Sequence, residues 1–269
     1  MTASGAIEID FDRLGPPTGA KLVIVGGHGG IGQALTLRCL EVGAKVVALD
    51  TPAAIEEHPL PKGVQSIPVN VLEPAHIEEA VSSVLKQWNE IDGLVYLAGV
   101  GEKPTPVSKF GLDQWDLAQD INLRGAFLVS KAFLPLLAQD RGSIVFISSG
   151  LAINVEAGFG AYSASKAGLI AYAKVLAKEV APNLRVNVVA PGLVQTAFLA
   201  GGTARGASGP ATLEQWFGED GAKAMRAAIP LGRVAVPDDI VAPILFLLGS
   251  GSRFMTGQTL HVNGGRYLP

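Results

Sequence analysis

The sequence predicts a doubly wound α/β fold, a seven-stranded parallel sheet with helices on both faces. Two observations predict it. Seven short runs are apolar throughout rather than alternating, which is how strands read when both faces of a sheet are covered. Most of these runs are followed by a longer stretch of helical periodicity, and strands that alternate with helices build a parallel sheet. Of the 269 residues, 48% are hydrophobic and 17% charged. That suffices for one sizeable core and argues against disorder.

The elements follow in order. "KLVIVG" (21–26) is the first strand, with a helix from about Gly30 to Val42 behind it. "AKVVALD" (44–50) is the second strand, and "VQSIPVNV" (64–71) is a weaker third. "PAHIEEAVSSVLKQW" (74–88) has the spacing of an amphipathic helix. "IDGLVYLAG" (91–99) and "GSIVFISS" (142–149) are the fourth and fifth strands, with a helix across about 113–138 between them. A long helix (162–180), a sixth strand "LRVNVVAPG" (184–192), a helix near 238–248 and a last strand "GQTLHVNGG" (257–265) complete the pattern. Residues 1–18 read as a short extension and 19–269 as a single domain. Within it, 197–233 is rich in glycine and alanine yet contains Phe198, Trp216, Phe217 and Met225. A long insertion of this kind is expected to be a mobile lid over a substrate.

Composition narrows the function. The net charge of −3, without a basic run, argues against a nucleic-acid partner. The N-terminus has neither signal-peptide nor transit-peptide character, and no run reaches the roughly 18–20 apolar residues of a membrane span. A cytoplasmic protein with no membrane partner is expected. The single cysteine, Cys39, sits in an apolar helical pattern and cannot form an intrachain disulfide. The four histidines are scattered and no metal site is expected.

In open α/β sheets, ligands sit beyond the carboxyl ends of the strands. After the first strand comes "GGHGGIG" (26–32), where glycines let the backbone turn sharply and approach a pyrophosphate at a helix N-terminus. Two spacings fit, Gly27/Gly29/Gly32 and Gly26/Gly30/Gly32; His28 is expected to be an exposed loop residue. After the second strand, Asp50 could accept hydrogen bonds from both hydroxyls of an adenosine ribose and would repel a 2′-phosphate. Neither Thr51 nor Gly29 is basic, so NAD is expected over NADP. Further cofactor contacts are expected from Ile31, from Asn70 (toward an adenine edge) and Val71, from Ala98 and Gly99, and from Pro191, Gly192, Val194 and Thr196. Glu102 is a candidate for the pocket entrance and Arg205 or Arg226 for an anionic group. Asn122 falls inside a predicted helix, where asparagine is a poor fit; it reads either as an exposed polar position or as a kink whose side chain or freed carbonyl does work. Ser149 ends the fifth strand. Tyr162 and Lys166 lie four apart and share a helix face.

Together these features resemble the short-chain dehydrogenase/reductase family, from about Gly19 to the C-terminus. The resemblance rests on Gly26-x-x-x-Gly30-x-Gly32, Asn122, Ser149, Tyr162-x-x-x-Lys166, Pro191-Gly192 and "TGQTLHVNGG" (256–265), and it favours the second glycine spacing. The chain departs from the family at Val25 (often threonine), at Asn70 (usually aspartate) and at Tyr96-Leu97-Ala98-Gly99 (usually Asn-Asn-Ala-Gly). The resemblance implies a Rossmann-type fold and direct hydride transfer between nicotinamide C4 and a substrate carbon. It implies Tyr162 as general acid/base, Lys166 as the cation that lowers the tyrosine's pKa and binds the nicotinamide ribose, Ser149 as holder of the substrate oxygen, and Asn122 as holder of a relay water. Lys166 and Tyr162 are also implied to contact cofactor. Bringing a tyrosine from about 10 to near 7 needs roughly 4 kcal/mol; one cation within ~4 Å, at an effective dielectric near 20, supplies about that before desolvation.

The activity so implied is NAD-dependent interconversion of a secondary alcohol and a ketone. A 3-hydroxyacyl/3-oxoacyl compound leads, with a sugar, polyol or steroid alcohol as competitor. A non-catalytic dinucleotide-binding regulator is the alternative from another class. Apolar residues on several faces of the helices at 113–138 and 162–180, including Phe127, Leu128, Phe133, Leu169, Ile170 and Leu176, predict a homo-oligomer. The resemblance implies a tetramer, with a dimer as the other outcome.

Overall fold

The computed structural model describes residues 9–101, 103–200 and 212–268. Glu102, Arg205, the first eight residues, the stretch 201–211 and the side chains of Trp216 and Phe217 lie outside that description.

Seven parallel strands form one sheet in the order β3-β2-β1-β4-β5-β6-β7. They are β1 (Lys21–Val25), β2 (Lys45–Asp50), β3 (Gln65–Pro68), β4 (Gly93–Tyr96), β5 (Ser143–Ile147), β6 (Arg185–Pro191) and β7 (Thr259–Val262). Alternate side chains of a strand point to opposite faces, and the core divides accordingly. Val23, Val25, Leu94, Tyr96 and Phe146 pack on one face with Ile77, Val84, Phe133 and Leu169. Leu22, Ile24, Val95 and Val145 pack on the other with Leu35, Cys39, Ile240 and Ile244. The first face is covered by α3 (Pro74–Gln87), α5 (Gly125–Phe133) and α6 (Gly160–Val180), the second by α1 (Gly30–Glu41) and α8 (Pro237–Leu248). Burial pushes the Cys39 thiol up to about 12, as for a structural core residue.

Three elements differ from the sequence expectation. A short helix α2 (Pro52–Glu57) follows β2; Thr51 caps it by accepting from the Ala54 N–H at 3.3 Å, with proline in the first turn. The stretch 113–138 is not one helix. It runs through α4 (Leu112–Gln119), a π turn (Asp120–Arg124), α5 and a 3₁₀ turn (Leu134–Leu136), and Asn122 lies in the π turn. The region expected as a lid contains α7 (Leu213–Ala227), opened by a reciprocal Thr212–Gln215 capping box and interrupted at Gly218, where φ is 68°.

Strand order reverses between β1 and β4, since β2 and β3 lie on one side and β5 to β7 on the other. The crevice beyond the carboxyl ends of those two strands is where such sheets take ligands.

Candidate active site

A cleft of about 280 Å³ occupies that crevice. Its floor is the glycine loop between β1 and α1. Gly26 has φ 82°, and a Cβ there would sit 2.7 Å from the Ala98 nitrogen; a Cβ on Gly32 would sit 2.1 Å from the Gly26 carbonyl oxygen. Gly29 has space for a side chain, with its nearest neighbour at 3.5 Å. Crowding at positions 26 and 32, but not at 29, matches the Gly26/Gly30/Gly32 spacing and leaves the α1 N-terminus open to an anion. The loop fits a dinucleotide pyrophosphate.

At one end of the cleft stands Asp50. One carboxylate oxygen accepts the His28 N–H at 2.9 Å and the other the Thr51 N–H at 2.8 Å. Burial raises its pKa, partly offset by those two main-chain bonds. His28 is not the exposed loop residue expected; it is 1% exposed. Its Nδ1 lies 2.8 Å from the His58 carbonyl oxygen and its Nε2 3.0 Å from the Ser66 hydroxyl. Because a carbonyl can only accept, Nδ1 carries the proton. Sequence missed this role because the partners are 30 and 38 residues away.

Gly26, Gly29, Gly30, Ile31, Gly32, Asp50, Asn70, Val71, Ala98, Gly99, Ser149, Tyr162, Lys166, Pro191, Gly192, Val194 and Thr196 all line the cleft. Asn70 is exposed, and its carbonyl oxygen accepts the Leu72 N–H at 3.1 Å, so one of its two polar groups is already committed to a turn. Thr196 is buried with its methyl group against Gly30. Asn122 does not line the cleft but lies just behind it.

At the other end, α6 brings Tyr162 and Lys166 to the carboxyl end of β5. Lys166 is 3% exposed; its ammonium donates to the Ile147 carbonyl at 2.9 Å and lies 5.8 Å from the Tyr162 ring centroid. Burial lowers its pKa to about 8. Ser149 is buried, and its hydroxyl accepts the Leu151 N–H at 3.2 Å. Three further side chains fasten this corner. Ser148 donates to the Lys166 carbonyl and Ser165 to the Tyr162 carbonyl, both at 2.8 Å. Asn122 accepts the Val100 N–H at 2.8 Å and donates to the Val100 carbonyl at 3.1 Å and to the Ser165 hydroxyl at 3.0 Å. The Asn122 side chain is therefore committed to protein partners. A Cβ on Gly99 would lie 3.0 Å from Asn122 Oδ1 and 3.3 Å from Lys166 Nζ, so only glycine leaves these groups in place.

Sequence reasoning also missed Tyr96. Its fully buried hydroxyl donates to the Ile121 carbonyl of the π turn at 2.7 Å. At the departure from the family's Asn-Asn-Ala-Gly pattern, Tyr96 thus braces the π turn. Leu151, Phe159, Leu193 and Phe198 complete the wall around Ser149 and Tyr162, with the Phe198 ring 6.0 Å from that of Tyr162.

Comparison with known proteins bears on family and fold. A family model described as enoyl-(acyl carrier protein) reductase matches residues 25–266. The chain is similar to the 3-oxoacyl-(acyl-carrier-protein) reductase of Thermotoga maritima, 34% identical over 92% of this chain and 97% of that protein. It superposes on a short-chain dehydrogenase/reductase, glucose/ribitol dehydrogenase, from Brucella melitensis with a TM-score of 0.81, at 28% identity over 95% of this chain and 99% of the other. A 3-ketoacyl-(acyl-carrier-protein) reductase from Brucella melitensis, complexed with NADH, gives a TM-score of 0.80 at 25% identity over 93% and 99%. With sequence, fold and cleft in agreement over nearly its whole length, the chain belongs to the short-chain dehydrogenase/reductase family and is a nicotinamide-dinucleotide oxidoreductase.

Proposed function

We propose that the protein reduces an apolar 3-oxoacyl compound, or oxidises the corresponding 3-hydroxyacyl compound, with NAD(H). The observation that carries this reading is the buried Lys166 beside Tyr162 and Ser149, with Leu151, Phe159, Leu193 and Phe198 among the described residues of the same cleft. A sugar or polyol would leave several hydroxyls against that apolar wall without partners, a substantial penalty. A steroid alcohol fits the wall but has weaker support, because relatives matched over nearly the whole chain are named for 3-oxoacyl reduction. A regulator that only binds dinucleotide would have no use for Ser149 and Tyr162 placed together at the substrate side of the cleft.

When bound, the nicotinamide supplies or accepts the hydride. The chain's own groups do the rest. Ser149 donates to the substrate oxygen as negative charge develops on it. Tyr162 gives that oxygen its proton during reduction and takes it back during oxidation. Lys166, turned toward the tyrosine and the cofactor ribose, favours the phenolate. A relay through Asn122 would use its main-chain carbonyl, since its side chain is committed. Asp50 reads the adenosine ribose hydroxyls and disfavours a 2′-phosphate, which supports NAD over NADP.

We read residues 19–269 as one domain with 197–233 as its lid; Phe198 against Tyr162 supports the lid's placement over the substrate. Among the described residues no helix is long and apolar enough to cross a membrane, and the acidic balance gives no footing for nucleic acid. A cytoplasmic location remains our reading, checked by cell fractionation. The homo-oligomer is supported by exposed Leu112, Trp115, Phe127 and Val175 on α4, α5 and α6. Phe133, Leu169, Ile170 and Leu176 pack against the sheet instead, and Leu128 is partly buried against it. A tetramer or dimer is expected by light scattering, and a monomer at micromolar concentration would remove the reading.

The test is NADH oxidation at 340 nm with acetoacetyl-CoA, alongside aldohexoses and polyols as the reverse-direction panel, and Tyr162→Phe as control. We expect turnover of the acyl thioester and a loss of about 10³-fold in kcat for the variant. Turnover of sugars alone, or a variant with undiminished kcat, would overturn the reading.

A further inference from the structure

We infer that His28 is the positioning residue for cofactor selection: it holds Asp50 in place to read the ribose. The inference rests on the NAD preference proposed above. His28 belongs to the glycine loop yet does not line the cleft, so its effect on the dinucleotide runs through its partners. It is tied at four points. Its main-chain N–H binds one Asp50 oxygen at 2.9 Å, and its carbonyl accepts from the Gln33 carboxamide at 2.9 Å. Its ring spans the gap to the far side of α2, with Nδ1 donating to the His58 carbonyl at 2.8 Å and Nε2 paired with the Ser66 hydroxyl of β3 at 3.0 Å.

The consequence is geometric. Asp50 sits between two segments, the glycine loop and the β2–α2 turn, and takes one main-chain N–H from each through His28 and Thr51. The His28 ring locks those segments together, because it starts in the first and ends on the carbonyl of His58, just beyond α2. Without the ring, the loop and the α2 segment can shift independently. The His28 N–H is then no longer presented to Asp50, and the carboxylate can swing from the ribose position. Selection against a 2′-phosphate depends on that fixed negative charge, so it should decay together with NADH affinity. The groups at Tyr162 and Lys166 lie at the opposite end of the cleft and are fastened to other elements.

The test measures binding to the full-length, cofactor-free protein by titration calorimetry, with NADH and NADPH as the probes, and steady-state kinetics beside it. For His28→Ala we expect the NADH Kd to rise about tenfold, the size of effect expected when one charge-assisted bond is lost, and the ratio of NADPH to NADH Kd to fall by a similar factor. At saturating NADH, kcat should stay within about twofold of the parent, a limit set by a barrier change of roughly 0.4 kcal/mol. His28→Asn places an amide N–H at the Nδ1 position and should restore most of the affinity, whereas Ser66→Ala, which spares the His58 bond, should show a smaller loss. Unchanged Kd values and an unchanged ratio in His28→Ala would overturn the inference. So would a joint fall in kcat and affinity that His28→Asn does not repair, since that marks a merely structural role. If His28→Ala does not fold, Ser66→Ala decides alone: a parental NADH Kd and a parental ratio in that variant overturn it. A parent that binds NADPH more tightly than NADH would instead refute the NAD reading itself, a distinguishable result.

Discussion

The two ends of the cleft each hold a charge away from bulk water, and they treat it differently. Asp50 has a main-chain N–H on each carboxylate oxygen. Lys166 is the more deeply buried, yet among the described residues its ammonium donates to a single carbonyl, that of Ile147. An ammonium has three protons to give. On the proposed reading of Asp50 as the adenosine end, that carboxylate is held before the ligand arrives, which is the fixed geometry recognition needs. At the proposed nicotinamide end, the ammonium's remaining donor capacity would serve the cofactor ribose and the tyrosine when chemistry begins. The cost of that arrangement appears in the acid–base behaviour: burial lowers Lys166 to about 8.

The widest break in this comparison is Lys166→Met. Activity should fall about 10³-fold, since the tyrosine loses the cation that favours its phenolate. Stability should move the other way. The lysine's folded pKa of about 8 lies below its ordinary 10.5, so the unfolded chain binds more protons between those values. The lysine's penalty is full below about pH 8 and is relieved as pH rises toward about 10.5. At pH 7 it amounts to about 3 kcal/mol at most, and a methionine of similar shape removes it. Urea denaturation of the cofactor-free proteins should find the variant more stable at pH 7, with the gap closing by pH 10. A variant less stable at both pH values would show that the lysine is as well satisfied as Asp50, and the comparison would fail.

Asp50→Asn probes the finished end. The amide has one acceptor for two N–H groups and turns a donor toward one of them. Discrimination between NADH and NADPH should fall by about 10- to 100-fold, on the order of 1.4–2.8 kcal/mol, mostly through a higher NADH KM, with kcat at saturation little altered. A fall in kcat of the same size would mean that the two ends are not separable.

What the sequence made legible follows from how far apart the interacting residues are. The strands, the glycine loop, Asp50 and the Tyr162/Lys166 pair are local signals: a run, a spacing, a strand end. Two more were local and went unread. Thr51-Pro52 is a cap followed by a first-turn proline, and Thr212-x-x-Gln215 is a capping box; both announce helices. The π turn and the burial of His28 could not be read this way. Asn122 finds its partners at Val100 and Ser165, 22 and 43 residues off, and only the packed fold brings these together. Asparagine's misfit in a helix pointed to the position but not to the bond pattern.

The smallest expected effect is the sharpest test of whether the nicotinamide end is poised rather than slack. If it is poised, the ammonium alone has spare capacity and everything around it is held. Tyr96 supplies one such hold. A π turn withdraws a carbonyl from the helical ladder, and the Tyr96 phenol donates to that of Ile121, next to Asn122. Burial pushes the phenol's pKa far above its ordinary value, so it stays a donor across the working pH range. A Cβ on Gly125 would come within 2.5 Å of the hydroxyl, so glycine at that position is what admits it. Tyr96→Phe keeps the ring and leaves the carbonyl unpaired, which should cost about 1–2 kcal/mol in urea denaturation. The π turn should then loosen enough to lower kcat about threefold, roughly 0.6 kcal/mol at the barrier, while the KM for NADH stays put because Asp50 and the glycine loop are untouched. An equal loss of stability with no change in kcat would confine Tyr96 to the core, and would mean that Asn122, through Val100 and Ser165, holds the turn without it.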